Sequence, residues 1–439
     1  MIGTAATGLA VDRTDDHTGA RITPGQVPTA LRAFWADGLF AAAQDAFILA
    51  YLPIMASALG ASGAQIGLLS GAQSLGALLA LYPGAIASRR AASRRWVVVF
   101  YAGVLGRLTL FGSALAVAFL EGNTALWVIT AMLTARAFLG NFVVPAWTSL
   151  AADIIPPGLR ARYFASRNFA TNLALLAVTP LGGFLLDRWG MPGGYVVALL
   201  VAFLLGMCAT LAYSRIPEPP SVAAPVARAA GRQMVVLRDR RFQLFVAATF
   251  MLHFATMLAG PFMNVYLVED LGGSNFAVGM VSTASAFAGI IGQLYFGDVM
   301  QRRGALWVTR LAMLVMPLLP LAWVFVGNEW WVLVPNMAGG FIWAAFGLAN
   351  FQLLLDVSTE EDRDDYVAAF HTCIFGALLL APFVGGLVVD TWGYRVDFIV
   401  SGVGRLVAAL LFFFVVSTPK ERVATAWRAR RRPTLTAGR

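Results

Sequence analysis

From about residue 30 to residue 418 the chain alternates between long apolar runs and short polar breaks. Twelve runs can be marked, near 31–57, 64–87, 96–119, 125–152, 164–186, 193–214, 242–268, 276–298, 305–326, 330–356, 367–389 and 395–417. Each is long enough to cross the ~30 Å hydrocarbon layer of a bilayer as a helix, some with tilt. The two-residue alternation of membrane barrel strands is not seen. Glycine and proline inside the runs do not argue against helices, because packed neighbours re-satisfy the backbone groups they free. The pattern therefore predicts an all-α polytopic membrane protein of twelve transmembrane helices.

Composition supports this reading. Of 439 residues, 59% are hydrophobic and only 13% are charged, against roughly 25% charged in soluble chains. That excludes a soluble enzyme, a disordered chain and a collagen-like fibre. The formal charge of +9 is almost all arginine, Lys420 being the one lysine.

A basic balance can signal nucleic acid, but the positions of the arginines point elsewhere. With both termini inside, cytosolic loops hold Arg89, Arg90, Arg94 and Arg95, then Arg160, Arg162 and Arg167, then Arg302 and Arg303. Outer loops hold Arg188 and Arg395 against Glu121, Asp187, Glu269, Asp270, Glu329 and Asp390. This is the positive-inside distribution, and it accounts for the charge with no nucleic acid. The expected location is the cytoplasmic (inner) membrane of a bacterium, multi-pass, with both termini cytosolic. Membrane lipids are expected partners, the arginines of the C-terminal tail lying where anionic lipid would meet them.

The organisation read from these breaks is a disordered cytosolic tail (1–29), a six-helix bundle (30–217), a cytosolic linker (218–241), a second six-helix bundle (242–418) and a basic cytosolic tail (419–439). The linker contains the proline- and alanine-rich stretch IPEPPSVAAPVARAAGRQ. Cys208 and Cys373 lie in apolar runs and read as small hydrophobes. Neither zinc-type Cys/His spacing nor a phosphate-binding G-x-x-x-x-G-K-[ST] occurs, so no metal, no cofactor and no direct ATP drive is expected. A monomer is expected.

The halves resemble each other. LGASGAQIGLLSG at 59–71 parallels LGGSNFAVGMVST at 271–283, and GGFLLDRWG at 182–190 parallels GGLVVDTWG at 385–393. DIIPPGLRARYFASRNF at 153–169 parallels DVSTEEDRDDYVAAFHT at 356–372. Two repeats of six spans are a transporter architecture, with substrate bound near the bilayer midplane and access alternating by rocking.

At this point the chain resembles the major facilitator superfamily. The family's loop signature G-x-x-x-D-R-x-G is approached by Gly84-Ala85-Ile86-Ala87-Ser88-Arg89-Arg90-Ala91 and by Gly297-Asp298-Val299-Met300-Gln301-Arg302-Arg303-Gly304. The aspartate is replaced by Ser88 and by Gln301. Arg136-Ala137-Phe138-Leu139-Gly140 is similar to the R-x-x-x-G motif of proton-coupled members. The resemblance implies two pseudo-symmetric bundles, with spans one, four, seven and ten lining a central cavity.

Ionisable groups at membrane depth are costly and mark function. Asp45, Arg107, Arg136, His253 and Arg405 stand near mid-span, and Asp37 is shallower. Asp45 is the proton-coupling candidate, since a carboxylate in a poorly hydrated cavity can load and release a proton near neutral pH. An Asp45–Arg136 pair formed in one state only would act as a switch. Alternatively Arg136 binds an anionic substrate group directly.

Helical spacing gives the substrate cavity candidates: Asp37, Gln44 and Tyr51 in span one, Trp147 with Arg136 in span four, His253, Met257 and Asn264 in span seven, and Asn336, Trp343 and Asn350 in span ten. Arg89 with Asp153, and Arg302 with Asp356, are the expected pairs of a cytoplasmic gate.

The reading is a secondary active transporter of a small solute, not an enzyme. Proton coupling and efflux of amphipathic compounds are preferred. Uptake of a polar solute (sugar, nucleoside or carboxylate) and an uncoupled receptor or lipid-handling protein are the alternatives.

Overall fold

The apolar runs are largely helical in the computed structural model, which describes residues 24–218, 236, 238–359 and 362–415. Residues 1–23 of the expected N-terminal tail, 219–235 and 237 of the expected linker, and the expected basic tail lie outside the described residues. Among the described residues there is no strand.

The helices are α1 (Val27–Ala46), α2 (Leu52–Ala58), α3 (Gly63–Arg90), α4 (Arg94–Phe119), α5 (Gly122–Ile154), α6 (Pro157–Trp189) and α7 (Gly193–Ser214). They continue with α8 (Arg240–Glu269), α9 (Asn275–Arg303), α10 (Ala305–Val324), α11 (Glu329–Val357), α12 (Arg363–Trp392) and α13 (Tyr394–Val415). Eleven segments among the described residues, α3 to α13, are long and apolar enough to cross a membrane.

The remaining predicted run, 31–57, is not one helix. It is α1 and α2, separated by a series of tight turns: Phe47 N–H donates to Gln44 O, Leu49 N–H to Asp45 O, and Tyr51 N–H to Ile48 O. Pro53 sits in the first turn of α2, where its missing N–H leaves nothing unsatisfied. Two other spans restart at a proline. α5 breaks at Val143 ahead of Pro145, and α10 breaks at Met316 ahead of Pro317. In α4 the stretch Val98–Leu105 winds in wide π-type turns, a feature that often accompanies functional sites.

Helix ends follow local chemistry. Ser62 and Gln65 form a reciprocal capping box at the start of α3, with Gln65 N–H donating to Ser62 Oγ at 3.3 Å and Ser62 N–H to Gln65 Oε1 at 2.9 Å. The repeated GGFLLDRWG and GGLVVDTWG segments both end a helix on a glycine at positive φ, Gly190 at 59° and Gly393 at 82°. Only glycine adopts that conformation without steric cost.

The chain divides into two compact units. The first comprises Met1–Ala227 with Leu267–Thr283, and the second Arg228–Tyr266 with Ala284–Arg439. In a bilayer, helices associate through close packing rather than hydrophobic drive, and small residues permit it. In the first unit a Cβ on Gly76 would lie 2.7 Å from Thr134 O of α5. In the second, a Cβ on Gly292 would lie 2.6 Å from Phe341 O of α11. One core of the first unit gathers Phe34, Val143, Leu150 and Tyr213. One of the second gathers Phe242, Phe245, Phe346, Phe370 and Phe412. Also inside the first unit, the Asp187 carboxylate accepts hydrogen bonds from Asn275 N–H (2.9 Å), Asn275 Nδ2 (2.9 Å) and Phe276 N–H (2.8 Å). It thereby satisfies free donors at the start of α9.

Candidate functional site: buried charge in the first unit and an aromatic face in the second

Asp45 occupies the last turn of α1, immediately before that helix breaks. Arg136 of α5 donates from Nη2 to Asp45 Oδ1 in a short charge-assisted bond, and Gln44 Nε2 donates to the same oxygen at 3.0 Å. The Arg136 side chain is 18% exposed and that of Asp45 38%. Gln44 is fully buried. A Cβ on Gly206 of α7 would lie 2.6 Å from Arg107 Cδ and would also collide with Gln44 Oε1. The absent side chain therefore makes room for Gln44 and Arg107 side by side. Gln44 Oε1, Arg107 Nε and Arg136 Nε are buried with no hydrogen-bond partner. Such groups are costly unless something fills their bonding capacity. A ligand or bound water at this cluster would do so.

A second pair lies two turns earlier on α1. Asp37 Oδ2 is 3.6 Å from Arg167 Nη2 of α6, both side chains being about 15% exposed or less. Arg167 also donates from Nε to Phe34 O at 3.3 Å. Its guanidinium lies 5.3 Å from the Trp147 ring and 5.9 Å from that of Phe34, a cation–π arrangement. Gly38 permits this approach, since a Cβ there would lie 2.6 Å from the guanidinium. Arg167, read above as a loop arginine, is thus an interior residue of α6. Trp147 joins Asp37 through it.

Tyr51 lies beyond the break in the first span, at the entry to α2. Tyr51 is 2% exposed, and its hydroxyl donates to Thr179 O at 2.6 Å.

In the second unit, His253 Nδ1 is 2.9 Å from Thr249 O. Its ring centroid lies 6.0 Å from that of Trp343 and 5.9 Å from that of Phe346. His253 and Trp343 are therefore neighbours, as the spacing suggested. Met257 is half-buried one turn beyond His253 on α8, with Asn264 two turns further. Asn336 caps back onto its own helix, Nδ2 donating to Val332 O at 3.2 Å. Asn350 is buried, with Oδ1 unpartnered.

The expected gate pairs do not form as drawn. Asp153 is bound by Arg94, at 2.7 Å from Nη2, rather than by Arg89. Arg94 also donates to Ser149 Oγ, and its backbone N–H to Glu218 Oε1 at 2.6 Å. Arg89 closes α3 and Arg94 opens α4 only five residues later, so sequence distance alone did not separate them. Asp356 accepts from Gln352 Nε2 at 3.2 Å, and Arg302 lines a groove described below.

Sequence reading missed Asp397, fully buried in the first turn of α13. It stands at the start of the predicted run 395–417, away from the mid-span positions where charge was sought. Among the described residues no group of His, Cys, Asp and Glu could hold a metal ion.

The family model of the Major Facilitator Superfamily matches residues 35–247 and again 245–438. The chain belongs to the Major Facilitator Superfamily. It is a multi-pass membrane transporter rather than an enzyme. Among similar superfamily proteins is the multi-drug resistance efflux pump PmrA homolog of Lactococcus lactis, 21% identical over 368 residues, 82% of this chain and 88% of that protein. The probable galactarate/D-glucarate transporter GarP of Escherichia coli is 24% identical over 331 residues, covering 67% and 74%. Among solved structures, the nucleoside transporter NupG superposes with a TM-score of 0.71 at 14% identity, over 88% of this chain and 98% of that one. The D-xylose-proton symporter does so with a TM-score of 0.71 at 14% identity, over 90% and 98%. These structural likenesses give the superfamily fold alone.

Proposed function

We propose that this transporter moves a small solute by alternating access, coupled to protons through Asp45 and Arg136. The observation that carries the reading is the ion pair itself. A carboxylate and a guanidinium from two different helices meet beside a broken helix and a buried amide. Protonating Asp45 removes its charge and releases Arg136, so binding a proton changes which partners the arginine can take. Broken helices are the usual setting of transporter sites. The faces carrying Asp37, Gln44 and Trp147, and His253, Met257, Asn264, Asn336, Trp343 and Asn350, would contact substrate. Their mixture of tryptophan, methionine and amide suits amphipathic compounds, and efflux is the preferred direction, as the name of the Lactococcus lactis relative suggests. The arginine distribution supports cytosolic termini in a bacterial inner membrane.

The test uses proteoliposomes with a pH-sensitive dye inside. Addition of a transported solute should move protons in the wild type, and Asp45→Asn should abolish that movement while leaving solute binding. Unchanged proton movement in Asp45→Asn would overturn the coupling assignment.

One observation favours a second reading, uptake of an organic anion. Two arginines, Arg107 and Arg136, crowd one carboxylate and leave their Nε donors unused. The GarP relative is named for sugar diacids. Competition by a dicarboxylate for the bound solute, lost in Arg107→Gln, would decide for it.

A further inference from the structure

The cytosolic arginines Arg302 and Arg303 are not accounted for by topology alone. A groove of about 610 Å³ opens between α9, α10 and α11, entirely within the second unit. Its rim holds Arg302 and Arg303, in the last turn of α9, and Asp298 one turn before them. Trp307, 38% exposed, follows at the start of α10, and the Arg303 guanidinium lies 4.4 Å from its ring. Below the rim the wall is apolar, formed chiefly by Leu311, Val315 and Phe341.

Two features identify the occupant. The first is charge. Two arginines and one aspartate leave one net positive charge at the rim, matched to a singly charged phosphodiester. Among the described residues neither arginine is held in an ion pair. The second is length. At a rise of about 1.5 Å per residue, Val315 lies ~15 Å below Ala305, half of a hydrocarbon layer of about 30 Å. The groove is therefore one leaflet deep, with a cationic rim, an indole at interface level and a greasy wall. A soluble phosphate would leave the wall unused, and a neutral amphiphile would leave the arginines unmatched.

We propose that this groove is a binding site for one anionic phospholipid, its phosphodiester held by Arg302 and Arg303 and an acyl chain laid along Leu311, Val315 and Phe341. The proposal needs only that the chain lies in a bilayer; it is independent of substrate and coupling.

The experiment places the purified full-length protein in vesicles of phosphatidylcholine containing a minor fraction of phosphatidylglycerol. It then counts the lipids retained after extraction by native mass spectrometry. The wild type should retain phosphatidylglycerol in preference to phosphatidylcholine. Arg302→Gln with Arg303→Gln should lower that preference about 30-fold, as expected for losing two arginines beside an anionic headgroup. Leu311→Trp keeps both charges but fills the acyl slot, and should also lose the retained lipid. It decides the matter if the double variant fails to fold. The lysine double variant should keep most of the preference. Equal retention of both lipids by the wild type, undiminished retention in the double variant or in Leu311→Trp, or equally strong competition by glycerol phosphate would each overturn the proposal.

Discussion

At the corner where α3 gives way to α4, Arg94 is locked by Asp153 at 2.7 Å and flanked by Ser149 and Glu218. At the matching corner of the second unit, where α9 gives way to α10, Arg303 rests on Trp307 and Arg302 faces an open groove. The same contrast recurs deeper. Arg136 and Arg167 of the first unit are answered by Asp45 and Asp37, whereas the second unit presents His253 against Trp343 and Phe346. Meanwhile the glycine contacts that bring α3 to α5 and α9 to α11 are alike in kind. A duplicated scaffold thus tolerates divergence in its polar content as long as its close helix contacts are kept. At these positions the first unit presents paired charges and the second an aromatic contact, although the second unit also buries Asp397 and Arg405 near each other in sequence on α13.

The largest effect that can break this comparison is functional. Arg136→Gln leaves Asp45 without its ionic partner, and solute-driven proton movement in proteoliposomes should fall to background. Retained coupling would mean that the first unit's charges are structural. Next come the shared contacts. Gly76→Ala and Gly292→Ala each drive a Cβ into a backbone carbonyl, and each should destabilise by about 1–3 kcal/mol, read as a lowered Tm in detergent. Markedly unequal losses would show that the scaffolds are not equivalent.

A smaller effect distinguishes the two corners. Arg94→Ala breaks hydrogen bonds to charged partners and should cost about 2 kcal/mol. Arg302→Ala should leave the Tm unchanged in lipid-free detergent. Smallest is His253→Gln, which should raise the KM roughly fivefold, about 1 kcal/mol, with kcat unchanged. A loss of kcat there would place the histidine in the coupling step.

The sequence made the scaffold legible because membrane helices are written in long apolar runs, and the repeat in blocks at nearly constant offset. It also made the Asp45–Arg136 pair legible, since two opposite charges at membrane depth on different helices have few other ways to be satisfied. It did not reveal the break in the first span. Residues 47–51 are apolar and lack glycine or proline, so the run looked continuous. Arg167 was hidden for a different reason. It stands near the start of the run 164–186, within the polar stretch RARYFASRN, and so read as one more arginine of the cytosolic loop, whereas the helix α6 begins at Pro157 and carries it well inside. The preference of Asp153 for Arg94 over Arg89 depends on how the chain turns between α3 and α4, which no local pattern encodes.

The stacking of Arg167 over Trp147 has an optical consequence. An indole with a cation near its ring emits differently from one without, and Trp147 is one of twelve tryptophans in the chain. With the other eleven replaced by phenylalanine, its emission would follow the Asp37–Arg167 pair continuously in time. The protein thus contains, at a single ring, its own fluorophore for watching one of its buried charges arrive and leave.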